Sequence, residues 1–366
     1  MPIRPSALLA AAFAFGLASS PVAAQEQVLR IYNWSDYIAA DTIARFESET
    51  GIKITYDVYD SNDILEAKLL AGKSGYDLVF PSATPYFANQ LKAGLYQKLD
   101  KSRLPNAARL DPEVMTSLAA YDAGNEHAVP YMMAGTGVGY NIDKLKALIP
   151  DAALDSWSLV FQPRVLARIK GCGVTWLDAG EEALPSALAW LGRDPKSQST
   201  EDLQIAADTL MKARPTLRYI HSSSYINDLA NGEICVAMGY AGDLVQARSR
   251  AREAGRGVQI GIFLPKEGAP FNIDVMAIPK DAPNVANAHR FIDFLLRPEV
   301  IAQISNEVGY ANAVTAATPL LRDDIRNDPV IYPPAATKAR LFSIPPAGRD
   351  FERTRTRTWT RIKTRY

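Results

Sequence analysis

The sequence predicts an α/β protein of two lobes, each built on an open, mostly parallel sheet flanked by helices. Three observations lead there. Strand and helix patterns alternate from Val28, the same alternation returns from Gly173, and 366 residues with 48% hydrophobic and 22% charged content suffice for two separate cores.

In the first half, residues 28–32 read as a strand and residues 41–50 as a helix stopped by Gly51. Residues 53–59 read as a strand with Ile54, Tyr56 and Val58 on one face. Residues 63–71 form the next helix, closed by Gly72, and residues 77–80 a third strand ending at Pro81-Ser82. Ligands of such sheets lie beyond the carboxyl ends of the strands, so Trp34, Ser35, Asp36 and Ser82 fall on one rim. In the second half, residues 173–177 are a strand followed by Asp178 and by Glu181-Glu182 at a helix start. Residues 218–220 are a strand leading into Ser222-Ser223-Ser224, and residues 227–230 a helix ending at Asn231-Gly232. Residues 234–238 are a buried strand running into Gly239-Tyr240-Ala241-Gly242-Asp243. Residues 258–264 and 271–278 read as two strands around a turn at Pro265-Lys266-Glu267-Gly268, with Asp274 inside the second. A carboxylate within an apolar strand is costly to bury unless something neutralises it. Gly135-Thr136-Gly137-Val138-Gly139 lacks the spacing of a dinucleotide loop and marks a strand crossing between lobes.

The N-terminus reads as an export signal over residues 1–24. Arg4 gives a positive start, residues 7–18 are a short apolar run, and Val22-Ala23-Ala24 offers small residues for cleavage near Ala24. A run of about a dozen residues falls short of the roughly twenty that span a bilayer. The mature chain is expected beyond the inner membrane, in oxidising surroundings where Cys172 and Cys235, the only two cysteines, either form one disulfide or stay as two buried thiols.

Forty basic and forty acidic residues balance, which argues against a nucleic-acid partner. The basic tail, with Arg353, Arg355, Arg357, Arg361, Lys363 and Arg365 among threonines, reads as a solvated face with Trp359 and Ile362 packed inward. His127, His221 and His289 belong to no zinc motif, and there is no Walker loop or nucleophile elbow. No metal or cofactor is expected.

The stretch Ile31-Tyr32-Asn33-Trp34-Ser35-Asp36-Tyr37 places aromatic rings and a carboxylate where a strand ends, the ingredients of a cage for an organic cation. The same residues also fit ordinary core plus a helix cap at Asp36. Asn33-Trp34-Ser35-Asp36-Tyr37, Asp60-Ser61-Asn62, Pro81-Ser82, Leu177-Asp178 with Glu181-Glu182, residues 225–232, Ala241-Gly242-Asp243 and Ile331-Tyr332-Pro333-Pro334 together resemble the periplasmic polyamine-binding proteins of ABC transporters, in particular the putrescine-binding members. The likeness runs from about residue 29 into the tail. It implies the two-lobed periplasmic-binding-protein fold of type II, with the ligand in the cleft. Residues 25–133 plus about 258–305 would form one lobe, and 134–257 plus about 306–366 the other.

Carried over, the ligand contacts fall on Trp34, Ser35, Asp36, Tyr37, Ser82, Glu182, Tyr240, Asp243, Asn272, Asp274 and Tyr310, and Cys172 and Cys235 correspond to a disulfide. Asp274 and neighbouring rings would hold one ammonium, and Asp36, Glu182 and Asp243 the other end. Two positions depart from the pattern: Tyr240 stands where the putrescine binder has Trp, and Asn272 where members carry a ring. The ligand is thus open among putrescine, agmatine, cadaverine and spermidine. The implied partners of this monomer are an inner-membrane permease and its ATPase. A polyamine sensor is the alternative, and a hydrolase using Asp36 and Asp243 as a carboxylate pair a lesser one.

Overall fold

In the computed structural model, which describes Met1 and residues 27–364, eleven strands form one connected set of hydrogen-bonded neighbours. The expected export signal lies, apart from Met1, outside the described residues. β1 (Val28–Trp34) pairs in parallel with β2 (Lys53–Tyr59) on one side and β3 (Leu78–Val79) on the other. Each link is a helix: Thr42–Thr50 ends at Gly51, whose φ of 72° suits glycine, and Asn62–Leu70 begins at Ser61, whose hydroxyl accepts from the Ile64 amide.

β4 (Ala128–Asn141) is fourteen residues long and serves both lobes. β5 (Val174–Trp176) pairs in parallel with β6 (Tyr219–Ile220) and β7 (Val236–Tyr240), and β7 lies antiparallel to the second half of β4. β8 (Ile260–Phe263) also pairs with Val138–Asn141, whereas β9 (Ala269–Ala277) pairs with the first half of β4 and with β3. The sheet is therefore parallel at its flanks and antiparallel in the middle, where the chain crosses over. The glycines of β4 belong to that crossing: a Cβ at Gly137 would stand 2.7 Å from the Phe263 carbonyl oxygen. β10 (Ala311–Asn312) adds to β4, and β11 (Leu341–Phe342) runs beside the start of β9.

Several expectations change. The strands around the turn at 265–268 do not pair with each other; β8 and β9 lie end to end along β4, one in each lobe. Val58 is exposed, because β2 is an edge strand and its final inward residue is Tyr59. The boundaries at 258 and 306 also meet a different packing. Ile260 packs with Leu177 and Tyr225 of the second lobe, while Val308, Tyr310 and Ile331 join the first lobe's core around Leu29, Ile31, Phe46 and Phe291. The helix Arg349–Thr364 returns to the second lobe, burying Trp359 and Ile362 against Trp176 and Leu210. Arg355, expected on the solvated face, is 8% exposed. It lies one turn before Trp359 and so shares the buried stripe.

Cys172 and Cys235 form a disulfide, with Cα atoms 5.5 Å apart, that staples the start of β5 to the segment entering β7. The bond closes a loop of 63 residues, for which chain entropy gives about 4 kcal/mol. Replacing both cysteines by serine should lower unfolding free energy in urea by up to about that amount, with no change in the spacing of the cleft residues measured by crystallography.

Candidate functional site

The carbonyl of Phe80, just past β3, accepts two hydrogen bonds, from Trp34 Nε1 at 2.8 Å and from the Tyr59 hydroxyl at 2.6 Å. One backbone oxygen thus fixes two rings whose centroids lie 4.8 Å apart. Tyr240, at the end of β7, meets Trp34 edge-on from the other lobe at 6.2 Å. These three rings line one side of a cavity with about 490 Å³ of space free of protein atoms, part of it open to solvent.

Two buried carboxylates face the same cavity. Asp274, in β9, accepts from the Tyr37 hydroxyl and from the Ser82 hydroxyl, each at 2.6 Å. Ser82 is itself held by Asn62 through two hydrogen bonds of 3.1 Å. Asp243, in the first turn of the Ala241–Ala254 helix, accepts from the Tyr225 hydroxyl at 2.6 Å and from the Tyr310 hydroxyl at 2.7 Å. Tyr37 and Tyr310 stand ring to ring at 4.7 Å, so the two carboxylates are joined through a pair of phenols. The bond from Tyr310 to Asp243 also crosses the cleft, since their cores are different lobes.

Among the described residues neither carboxylate has an ion-pair partner. Burial pushes the Asp243 carboxyl up to about 7 and that of Asp274 up to about 6, although the hydroxyls pull both down. Burial and the adjacent carboxylates hold Tyr37, Tyr225 and Tyr310 far above the usual phenol range, so they remain donors. The result is a pocket with aromatic faces and two carboxyls whose hydrogen-bond partners are neutral hydroxyls.

Nine of the eleven residues singled out from the sequence line this cavity: Trp34, Ser35, Tyr37, Ser82, Tyr240, Asp243, Asn272, Asp274 and Tyr310. Asp36 and Glu182 do not. The Asp36 carboxylate turns to the Arg250 guanidinium, 2.6 Å away, and its carbonyl accepts from Gln246 Nε2 at 3.2 Å, which makes it a tie between the lobes at the cleft edge. Glu182 is buried behind Asn272, accepting from Asn272 Nδ2 at 2.8 Å and from the Thr136 hydroxyl at 2.5 Å, and burial raises its carboxyl above the usual range. Tyr59, Asp60, Ala134, Ser222 and Ser223 complete the lining without having been singled out. Asp60 follows β2 and Ser222 follows β6, so the strand-end rule that located Ser82 would have reached them. Among the described residues no group of His, Cys, Asp or Glu could hold a metal ion, and no helix is long and apolar enough to cross a membrane.

A carboxyl raised in the fold stabilises it fully below the ordinary value of 3.8, and that contribution is lost as pH rises through the folded values of about 6 and 7. With the lobes packed as they are, the fold should therefore lose stability between pH 4.5 and pH 7.5 on account of these two groups. Asp243→Asn should gain on the wild type over that interval by on the order of 2 kcal/mol in urea titrations. Parallel pH profiles for the two proteins would contradict the assignment.

The family described as bacterial extracellular solute-binding protein matches residues 41–333. The chain is 52% identical over 344 residues to the putrescine-binding periplasmic protein of Escherichia coli, covering 93% of each. It is 51% identical over 357 residues to a putrescine-binding periplasmic protein of Pseudomonas aeruginosa, covering 97% of each. A solved structure described as a putative spermidine/putrescine ABC transporter from Listeria monocytogenes superposes with a TM-score of 0.83 at 30% identity, over 93% of this chain and 100% of that one. With the cleft and its two unpaired carboxylates, these likenesses identify the chain as a member of the bacterial extracellular solute-binding protein family.

Proposed function

We propose that this protein captures a small aliphatic polyamine, putrescine or a near relative, in the interlobe cleft beyond the inner membrane, and delivers it to the permease and ATPase of an ABC importer. The observation that carries the reading is the pair of buried carboxylates, Asp243 and Asp274, held by hydroxyls and lacking a cationic partner. Such a pair favours a guest that brings positive charge at two points. The rings of Trp34, Tyr59 and Tyr240 suit the methylenes between them and attract an ammonium through their faces. The named ligands of the relatives agree in chemistry.

Magnitudes support preorganised charge as the larger part of affinity. Four buried methylenes contribute about 3 kcal/mol, whereas micromolar binding requires about 8. The two carboxylates supply the difference and also offset lost freedom of motion, which is feasible because hydroxyls of their own lobes, Tyr37 and Ser82 for Asp274 and Tyr225 for Asp243, already orient them. Asn272 in place of a ring leaves an amide on the wall, with its nitrogen committed to Glu182 and its oxygen free to accept from a donor-bearing ligand. That admits agmatine, cadaverine and spermidine beside putrescine. Capture is a population shift toward closed lobes, because Tyr310 reaches Asp243, and Arg250 reaches Asp36, only when the lobes meet. The role assigned is binding.

Asp274→Asn should weaken putrescine binding at least a hundredfold in calorimetry while circular dichroism stays unchanged; equal affinity would refute the charge assignment. Gly242→Ala tests the hydroxyl support separately. A Cβ at Gly242 would overlap the Tyr310 ring, so the substitution should push that ring off Asp243 and reduce affinity about tenfold, or ~1.4 kcal/mol. Thermal shifts by amino acids or anions in place of polyamines would overturn the ligand class.

A further inference from the structure

His221 and the three serines after it join β6 to the Tyr225–Ala230 helix on the wall of the cleft. Ser222 and Ser223 line the same cavity as Asp243 and Asp274. Tyr225, the first residue of the helix, donates its hydroxyl to Asp243 and accepts from the Tyr240 amide at 3.1 Å, so the segment leads straight into the support of one carboxylate and one ring. β6 has only two residues and the helix six, and serine brings little apolar surface. Packing alone therefore leaves this part of the wall with little rigidity.

Hydrogen bonds hold it instead. The His221 amide donates to the Trp176 carbonyl of β5 at 3.0 Å, and the Ser222 hydroxyl accepts from the Asp178 amide at 3.0 Å. Beyond Ser222 the tie is the imidazole. His221 Nδ1 accepts from the Ser223 amide and from the Ser224 amide, each at 3.1 Å, and the Ser223 hydroxyl stands 3.4 Å from the same nitrogen. Among the described residues neither amide meets a backbone carbonyl. A side-chain acceptor that takes the amides two and three residues further on is the pattern of a helix cap, here made by a ring in place of a short polar side chain. An accepting nitrogen carries a lone pair, so the imidazole proton sits on Nε2. We propose that His221 is a positioning residue for ligand capture: Nδ1, held as an acceptor, fixes Ser222 and Ser223 on the cavity wall and Tyr225 against Asp243 before a guest arrives. The gain is preorganisation, because binding to a wall already in place spends nothing on ordering it.

This role rests on the cleft being a polyamine site, and the measurements separate the two claims. Asparagine carries its side-chain oxygen as many bonds from Cα as Nδ1 stands, whereas glutamine carries it where Nε2 would be. In calorimetric titrations of the purified protein with putrescine, His221→Asn should keep affinity within about twofold of wild type and His221→Gln should lose about fivefold, the scale of a missing cap. Equal losses in both variants, or a loss in neither, would overturn the role of Nδ1 while leaving the polyamine reading intact. Long-range proton–nitrogen NMR of the wild type reads the tautomer: a bare Nδ1 is expected, and a proton there overturns the assignment. Amide hydrogen exchange reads the loop itself. Ser223 and Ser224 should exchange about fivefold faster in His221→Gln than in wild type or His221→Asn, and equal rates in all three overturn the tie. If putrescine gives no binding heat, the ligand reading fails, and the tautomer and exchange rates still support or overturn the hold of His221 on the loop.

Discussion

Negative charge buried without positive charge is the constraint on which the remaining architecture depends. Asp243 and Asp274 are each oriented by two hydroxyls, and those four hydroxyls come from distant segments: Tyr37 after β1, Ser82 after β3, Tyr225 before β7 and Tyr310 before β10. An arginine or lysine in any of these places would neutralise the carboxylate and fill the space. A hydroxyl does neither, since it fixes geometry and leaves the charge to be met by something that arrives. The two carboxyls are therefore held in place by the packing of two cores, and on the proposed reading a cationic guest relieves the cost of burying them.

The strand-end rule explains how much of this could be read from the sequence. Trp34 and Tyr240 end parallel strands, Ser82 and Asp243 come just after such strands, and Asp274 is conspicuous as an acid inside an apolar strand. Pattern could not foresee partners far along the chain. Asp36 satisfies every local criterion for a ligand contact, yet Arg250, on a helix of the other lobe, takes its carboxylate. Glu182 is deflected by Asn272 and Thr136, both of which became its neighbours only through pairing of β4 with β9. Arg355 looked like one more charge on a solvated face because alternation of Arg with Thr hides the stripe that Trp359 and Ile362 define.

The two strands on either side of the turn at 265–268 take different stretches of β4 as partners. Two consecutive strands with a turn between them suggest a hairpin, and local sequence contains nothing that favours end-to-end placement. What decides is the length of β4: fourteen residues offer two successive stretches of backbone to pair, and β8 and β9 take one each. The glycines of β4, read from the sequence as a strand crossing between lobes, permit this close approach, as at Gly137 against Phe263. Val308, Tyr310 and Ile331 pack in the first lobe's core, and Tyr310 stands at the cleft, where it reaches a carboxylate of the second.

That reach gives the Ala241–Ala254 helix a double allegiance. Asp243 and Leu244 belong with the second lobe, whereas Ala241 and Val245 pack against the first lobe's core, and Gly242 lies under the ring of Tyr310. One helical turn therefore holds the charge, the aromatic lid above it and the apolar contact between lobes. Farther along the same helix, Arg250 ties Asp36 at the rim. Because these contacts occupy one rigid element, they form and break together. On the proposed reading, a guest that satisfies Asp243 stabilises the apolar contact as well, because one helix carries both.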